Sequence, residues 1–216
     1  MRKHTIIAID GPAASGKGTL AKRLAAHLGY AHLDTGLLYR LTGLLTLNAG
    51  KDPNNENDAV ATAQNLSATL KPEHLADPAL RTDIAGQAAS QVGKFHNVRT
   101  ALLQFQKDFA HKDGVKGVIM DGRDIGTVIC PDADVKFFVT ASVEERAKRR
   151  MIELQSKNIA ADFETVLNEM KTRDARDSER DAAPLKPADD AHILDTSALS
   201  ADAAFDAALG IIHKSL

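Results

Sequence analysis

Residues 10–25 read DGPAASGKGTLAKRLA and directly follow a short apolar run, TIIAI. A glycine-rich loop between a buried strand and a helix bares backbone N–H groups toward an anion, and the helix dipole favours negative charge there. The spacing nearly matches the phosphate-binding motif Gly-x-x-x-x-Gly-Lys-Ser/Thr, with Gly18 in place of the final hydroxyl residue. The stretch therefore predicts a phosphate loop. In the motif the final hydroxyl helps to hold magnesium, and here the next residue with a hydroxyl group is Thr19.

Three other interpretations of this loop stay open from these residues alone. A tight turn without a ligand could use the same glycines. Residues 16–21, GKGTLA, also match Gly-x-Gly-x-x-Ala, which predicts an NAD-dependent dehydrogenase, although GPAAS separates that pattern from the strand it should follow at once. A nucleotide-binding switch module is the third alternative, although the chain has no Asn-Lys-x-Asp motif for reading guanine.

Composition limits the partners and the compartment. The chain has 216 residues, a formal net charge of −2 and a pI near 6.4, which argue against bulk binding to nucleic acid or an anionic membrane. Cys130 is the only cysteine, which excludes an intrachain disulfide and a multi-cysteine zinc site. The first apolar run is too short for a signal peptide. We expect a cytoplasmic protein with no nucleic-acid or membrane partner, and a monomer.

Apolar runs and helical spacings alternate along the chain. Strands are predicted at residues 5–9, 31–34, 115–121, 135–140 and 192–195. Helices are predicted at residues 18–28, 36–47, 143–155, 163–176 and 202–212, and across most of 56–110 with breaks at the prolines. Residues 66–70 alternate in polarity, so a short strand is an alternative there. The alternation predicts an α/β fold, with a parallel sheet of about five strands and helices on both faces.

Acidic residues fall at the ends of the predicted strands. They are Asp10, Asp34, Asp121 and Asp195. Ligands of parallel sheets bind outside the carboxyl ends of the strands, so this edge is where we expect the chemistry.

Five segments, taken in order, resemble those of the bacterial cytidylate kinases, which belong to the nucleoside monophosphate kinase family. They read GPAASGKGT, HLDTGLLYR, AASQVGKFHNVR, VIMDGRDIGTVICPDADVKFFV and RDARDSERDAAPL, and they span nearly the whole chain. The resemblance implies the P-loop nucleoside-monophosphate-kinase fold and transfer of the ATP γ-phosphoryl group to CMP or dCMP. It implies a single kinase domain with a core at residues 1–34, 112–150 and 185–216, an acceptor-binding region at about 35–111 and a lid at about 151–184.

The resemblance also implies roles for individual residues. The implied catalytic residues are Lys17, Arg123 and Arg173. The implied ATP-binding residues are Gly11, Pro12, Ala13, Ala14, Ser15, Gly16, Lys17, Gly18 and Thr19. The implied CMP-binding residues are Thr35, Tyr39, Arg40, Ser90, Arg99, Arg123, Asp124, Asp177 and Arg180. Magnesium is the implied cofactor with ATP, and its candidate ligands are Thr19 and Asp121, although an Asp at position 121 also suits a cap for the DGRD turn.

Two sets of arginines also fit a plainer interpretation. Arg173, Arg176 and Arg180 are interleaved with aspartates, a pattern that by itself favours a solvated, salt-bridged helix face, whereas the resemblance places them in the lid. A second set lies in the preceding helix, where a basic surface is favoured over contact with ATP. That set is Arg146, Arg149 and Arg150.

The chain departs from the family pattern in the acceptor-binding region. Members of the family carry a longer insert with strands there, whereas here about twenty residues with two prolines separate Gln64 from the segment TDIAGQAASQV. Thr35 stands where some members have Ser, a change that keeps the hydroxyl group.

Overall fold

The computed structural model describes residues 4–216, and within them the chain forms a five-stranded parallel β-sheet. The strands are β1 (Thr5–Asp10), β2 (Ala31–Asp34), β3 (Gly117–Gly122), β4 (Val135–Thr140) and β5 (His192–Asp195). They lie in the order β2-β3-β1-β4-β5. β1 lies in the middle and is buried from Ile6 to Asp10, as expected for a strand covered on both faces of the sheet. The predicted fold class is confirmed.

Eight α-helices lie within the same residues. They are α1 (Lys17–Leu28), α2 (Gly36–Asn48), α3 (Glu56–Thr69), α4 (Asp83–Val92), α5 (His96–Ala110), α6 (Val143–Ser156), α7 (Phe163–Glu179) and α8 (Ala201–Ser215). Short 3-10 turns occupy Pro72–Ala76 and Pro78–Arg81, and a π-helical turn occupies Ile125–Ile129. In this part of the chain no helix is both long and apolar enough to cross a bilayer.

The alternative strand at residues 66–70 is wrong, because α3 runs through this segment to Thr69. Its buried residues, Ala59, Ala63 and Leu66, recur at helical spacing and pack into one apolar cluster. The Asn55 side chain accepts a hydrogen bond from the Asp58 N–H and caps the start of the helix. Helical burial and a good cap therefore outweigh the short alternation in polarity.

The chain divides into two compact units. The first comprises residues 1–33, 113–179 and 183–216, and the second comprises residues 34–112 and 180–182. The core of the first unit forms where β1, β3 and β4 pack with α1 and α8, around residues such as Ile9, Leu24 and Phe137. In the second unit α2 packs on α4 and α3 on α5. Between residues 34 and 112 the structure has helices and 3-10 turns, with no strand after the end of β2.

The register of the sheet brings two loops of the first unit side by side. Asp10 pairs with Gly122 and Ile9 with Asp121, so the loops after β1 and β3 begin at the same edge. The loop after β1 is the GPAASGKGT segment, and the loop after β3 begins with Arg123 and Asp124. The strand ends therefore place the two segments that carry most of the predicted chemistry of this unit next to each other.

Candidate active site

The phosphate-loop segment is held tightly against the sheet. Gly11 has a φ of 153°, and a Cβ atom at this position would overlap the backbone carbonyl oxygen of Val139 on β4, so only glycine fits. The Lys17 ammonium donates to the Pro12 carbonyl oxygen at 3.0 Å, which folds the lysine over its own loop. Ser15 is fully buried, and its hydroxyl has no hydrogen-bond partner among residues 4–216.

The start of α1 suits an anion. Gly16, at φ 90°, is the N-cap residue and has no side chain with which to cap the helix. By contrast, Ser142 caps α6 and Ser200 caps α8 in the same unit, each through its hydroxyl. The first turn of α1 also contains Lys17 and no acidic residue. Backbone N–H groups, the helix dipole and a lysine therefore all favour negative charge at this point.

A cavity of about 220 Å³ lies beside the loop, within the first unit. Its walls include Thr19, Leu20, Val139, Arg149, Thr196 and Leu199. Arg149 donates to the hydroxyl and the carbonyl oxygen of Thr196 at 2.9 and 2.6 Å, and the Thr196 hydroxyl donates to the Ser15 carbonyl oxygen at 3.0 Å. The wall formed by α6 and the residues after β5 is thus bonded directly to the phosphate loop.

Arg146 on α6 is a buried connector between this loop and α7. Its guanidinium is about 5% exposed and donates to the carbonyl oxygens of Ala141 and Ala13. It also forms a two-point ion pair with the Asp174 carboxylate, at 3.0 and 2.6 Å. A buried guanidinium with carbonyl and carboxylate partners is well satisfied, and it fixes the distance from the loop to α7.

Asp10, the last residue of β1, is a buried acid with a raised pKa. Its two carboxylate oxygens accept the backbone N–H groups of Ile125 and Gly126 at 2.8 and 2.7 Å. Burial raises the pKa of Asp10 from 3.8 to about 6, against the lowering effect of the two hydrogen bonds. The nearby Asp124 also raises this pKa, and Arg123 lowers it.

The raised pKa of Asp10 predicts how the free energy of unfolding varies with pH. The unfolded chain releases the Asp10 proton near pH 3.8 and the folded chain near pH 6, so in between only the folded chain holds this proton. Protonation then favours the folded state, and this contribution disappears as the pH rises through 6. We expect the difference in unfolding free energy between the wild type and Asp10→Asn to fall by about 2 kcal/mol from pH 4 to pH 7. Urea unfolding of both proteins across this range measures it, and a constant difference contradicts the prediction.

Arg123 and Asp177 form an ion pair within the first unit. The Arg123 Nε–H donates to the Asp177 carboxylate at 2.9 Å, and both side chains are mostly buried. The Asp177 carbonyl oxygen also accepts the N–H of Leu185, which follows α7. The carboxylate therefore orients the Arg123 guanidinium just after β3.

Asp121 lies one residue before the end of β3 and is bonded to His32 on β2, whose Nε2 is 2.8 Å from the carboxylate. Gly18 faces the other carboxylate oxygen: a Cβ atom built on Gly18 would lie 3.7 Å from it. Thr19 instead lines the cavity beside Arg149. Among residues 4–216 no group of three or more His, Cys, Asp or Glu side chains is arranged to hold a metal ion by itself.

The second unit holds the other predicted acceptor residues. The Arg99 guanidinium lies 5.1 Å from the ring centre of Tyr39 and donates to the Gly93 carbonyl oxygen at 3.2 Å. Arg40 donates to the carbonyl oxygens of Leu80 and Thr82, at the second 3-10 turn and the start of α4. The remaining predicted members here are Thr35 at the start of α2, Ser90 on α4, and Arg180.

The cytidylate kinase family model matches residues 7–214 of this chain, which is almost its full length. The chain belongs to the cytidylate kinase family. A cytidylate kinase of Paramagnetospirillum magneticum is 58% identical over 209 residues, covering 96% of this chain and 97% of the relative. A cytidylate kinase of Rhodospirillum rubrum is 54% identical over 213 residues, covering 97% and 98%. The dehydrogenase and switch-module alternatives receive no support from these relatives.

A solved structure shares the fold. It is an uncharacterized protein from Eubacterium ventriosum, 18% identical, with a TM-score of 0.58 and coverage of 97% of this chain and 99% of the other. At this identity the likeness concerns the fold alone.

The interpretation of the arginines on α6 as a basic surface is wrong for two of them. Arg146 and Arg149 are not a basic surface, because both are bonded to the loop or its cavity wall; the surface interpretation fits Arg150, which pairs with Glu153 on its own helix. On α7, Asp174 and Asp177 also pair with arginines outside the helix, Arg146 and Arg123 respectively.

Proposed function

We propose that the phosphate loop and the adjoining Arg123–Asp124 segment carry out the reaction of this family. The protein is a kinase that transfers the γ-phosphoryl group of ATP to CMP or dCMP, giving CDP or dCDP. The observation that supports this assignment of residues best is the glycine loop, which leads into a helix without a capping side chain and carries Lys17. A helix start of this kind is a ready-made site for an anion such as the phosphates of a nucleotide.

ATP is proposed to bind along residues 11–19. Its phosphates accept the loop N–H groups, and Lys17 supplies a positive charge at the β- and γ-phosphates. The cavity of about 220 Å³ beside Thr19 has both apolar and hydrogen-bonding walls, and we assign it to the base and ribose of ATP. In that position the nucleoside lies against Arg149, which its bonds to Thr196 hold in place.

Phosphoryl transfer spreads negative charge over the equatorial oxygens of the moving group and requires little covalent help from the protein. Positioned cations therefore perform most of the catalysis. We assign this role to Lys17, Arg123 and Arg173, with Arg123 also binding the phosphate of CMP. Asp177 orients Arg123 from one side, so the guanidinium needs little rearrangement before the reaction.

The base of CMP is assigned to Asp124 and Arg99. Cytosine presents an amino donor next to two acceptors, which matches a carboxylate together with a guanidinium, whereas uracil presents a carbonyl to that carboxylate. The other proposed CMP contacts follow the family resemblance. They are Thr35, Tyr39, Arg40, Ser90, Asp177 and Arg180.

Replacing Asp124 with Asn tests the base assignment. We expect the preference for CMP over UMP, measured as the ratio of their kcat/KM values, to fall by about tenfold, since the amide can donate to uracil as well as accept from cytosine. Steady-state assays with both acceptors at saturating ATP measure this ratio. An equal loss on CMP and UMP contradicts a role for Asp124 in reading the base.

Magnesium is proposed as the cofactor, and the residues present fit it. Mg²⁺ prefers oxygen ligands and in kinases is held by one or two carboxylates together with substrate phosphates, so a large protein cluster is not required. Asp121 supplies such a carboxylate, and His32 fixes its orientation. The metal, when bound, neutralises charge developing on the phosphates. Thr19 is the second candidate ligand, although it lines the cavity.

The lid, residues 151–184, stays a proposal. Its closure is expected to exclude water, because water competes with CMP for the phosphoryl group. The cytoplasmic location, the monomeric state, and the absence of nucleic-acid and membrane partners also stay predictions from the sequence.

One coupled assay of ATP consumption with CMP, dCMP, UMP and AMP in parallel tests the function. We expect rapid turnover with CMP or dCMP and much slower turnover with AMP. Consumption of ATP that is independent of any nucleoside monophosphate would instead indicate a nucleotide switch. NADH binding without phosphoryl transfer would indicate a dehydrogenase.

A further inference from the structure

The carboxylate of Asp10 links the two loops that begin at the edge of the sheet. Asp10 is the residue before Gly11 of the phosphate loop, and its side chain is about 4% exposed. One carboxylate oxygen accepts the Ile125 N–H at 2.8 Å and the other accepts the Gly126 N–H at 2.7 Å. Both oxygens are therefore committed to a backbone segment 115 residues or more away in sequence.

That segment begins directly after Asp124. Ile125 and Gly126 open the π-helical turn Ile125–Ile129, whose N-cap residue is Asp124. The first N–H groups of a helical turn need an acceptor, and a side chain at the N-cap usually supplies it. Among the described residues Asp10 is that acceptor, and the Asp124 side chain does not cap its own turn. The Asp124 carboxylate is thereby directed to other partners.

The contact leaves little room for the turn to move. A Cβ atom on Gly126 would lie 3.2 Å from the Lys136 Cδ and 3.4 Å from an Asp10 carboxylate oxygen. Lys136 is itself buried and anchored by the Pro131 carbonyl oxygen and the Asp190 carboxylate. The glycine thus allows the backbone to approach Asp10 closely, and a Cβ atom here would crowd the Lys136 side chain and shift the contact by a few tenths of an ångström.

We infer that Asp10 is a positioning residue for acceptor recognition, which holds the Arg123–Asp124 segment in the orientation at which it meets CMP. The inference rests on the proposed function, because it takes Arg123 and Asp124 as CMP-binding residues. The raised pKa of Asp10 supports it. A buried carboxylate beside Asp124, with Arg123 and Lys136 as the neighbouring cations, is costly to keep ionised. A carboxylate buried at such a cost to stability is expected to serve function.

Asp10→Asn is the first test, because the side chain keeps its shape but offers one acceptor oxygen for two N–H groups. We expect the KM for CMP to rise about tenfold or more and the CMP over UMP preference to fall, while the KM for ATP changes by less than about threefold. If Asp10 merely stabilised the fold, its substitution would lower the melting temperature without changing the KM for CMP more than the KM for ATP.

Asp134→Asn is the matched control. The Asp134 carboxylate also accepts a strand N–H, that of Ile6 at 2.8 Å, but at the opposite end of β1. We expect it to leave both KM values and the CMP over UMP preference within about twofold of the wild type.

Gly126→Ala is the second test and decides the matter if Asp10→Asn does not fold. It displaces the same turn while keeping the carboxylate, and we expect the KM for CMP to rise several-fold more than that for ATP. The inference is overturned if the deciding variant leaves the KM for CMP within about twofold of the wild type, or raises the two KM values equally. Equal rises in the KM for CMP and the KM for ATP would show that Asp10 supports the phosphate loop and not the acceptor segment. A wild type that does not phosphorylate CMP would refute the proposed function instead.

Discussion

We expect Lys17→Ala to lower the turnover number with CMP by about a thousandfold or more, while the protein still binds CMP with an affinity within about twofold of the wild type. The expected loss is large because, in the proposed site, Lys17 contacts the charge that develops on the transferred phosphate, and this contact is stronger in the transition state than in the ground state. The ammonium already lies over the loop, 3.0 Å from the Pro12 carbonyl oxygen, so little rearrangement is needed before it acts.

Single-turnover kinetics and calorimetric titration with CMP measure the two quantities separately. Lys22→Ala is the control, since Lys22 is an exposed lysine on the same helix. It should leave turnover within about twofold of the wild type. Normal turnover in Lys17→Ala would refute the role of the phosphate loop, and loss of CMP binding would show that Lys17 serves the acceptor as well.

We expect Arg123→Ala to raise the KM for CMP by about ten- to a hundredfold and to change the KM for ATP far less, because the variant would lose the proposed charge-assisted hydrogen bonds to the acceptor phosphate. The substitution also leaves the Asp177 carboxylate, mostly buried, without the cation that it faces. Loss of this counter-charge from a mostly buried carboxylate is expected to destabilise the protein and to increase its repulsion of a phosphate. Because Asp177 is itself a proposed CMP contact, the double variant Arg123→Ala/Asp177→Asn is compared with Asp177→Asn alone, which separates the repulsion from the lost Arg123 contact.

The affinities for CMP and ATP are best compared in the same preparation. Arg150→Ala serves as the control, since Arg150 pairs with Glu153 on its own helix. If Arg123→Ala weakens ATP more than CMP, Arg123 belongs to the donor side of the reaction.

The strands could be predicted from the sequence, because short β-branched runs between glycines and acidic residues have few other interpretations. The predicted bounds of β2, β4 and β5 match the structure residue for residue. The π-helical turn Ile125–Ile129 was not predicted. Its first two N–H groups donate to the Asp10 carboxylate, which is 115 residues or more away in sequence. The local sequence IGTVI gives no indication of these hydrogen bonds.

The residues of the candidate site could be predicted only where they belong to a recognisable sequence motif. The spacing of the glycines is enough to predict a phosphate loop. By contrast, Arg146 and Arg149 belong to a helix whose pattern of charges predicts an exposed face. Their partners, Ala13 and Thr196, come from the far ends of the chain. The contact from His32 to Asp121 requires β2 to neighbour β3, and that strand order has no signature in either strand.

The ion pair of Arg146 links the choice of residue at position 146 to the choice at position 174. Its guanidinium is buried between the Ala13 carbonyl oxygen and the Asp174 carboxylate. Loss of Asp174 would leave the Arg146 guanidinium buried without its counter-charge, which is strongly destabilising. Loss of Arg146 would cost less at the other end, because the Asp174 side chain is about 26% exposed. Position 174 is therefore expected to keep an acidic residue for as long as position 146 keeps its arginine.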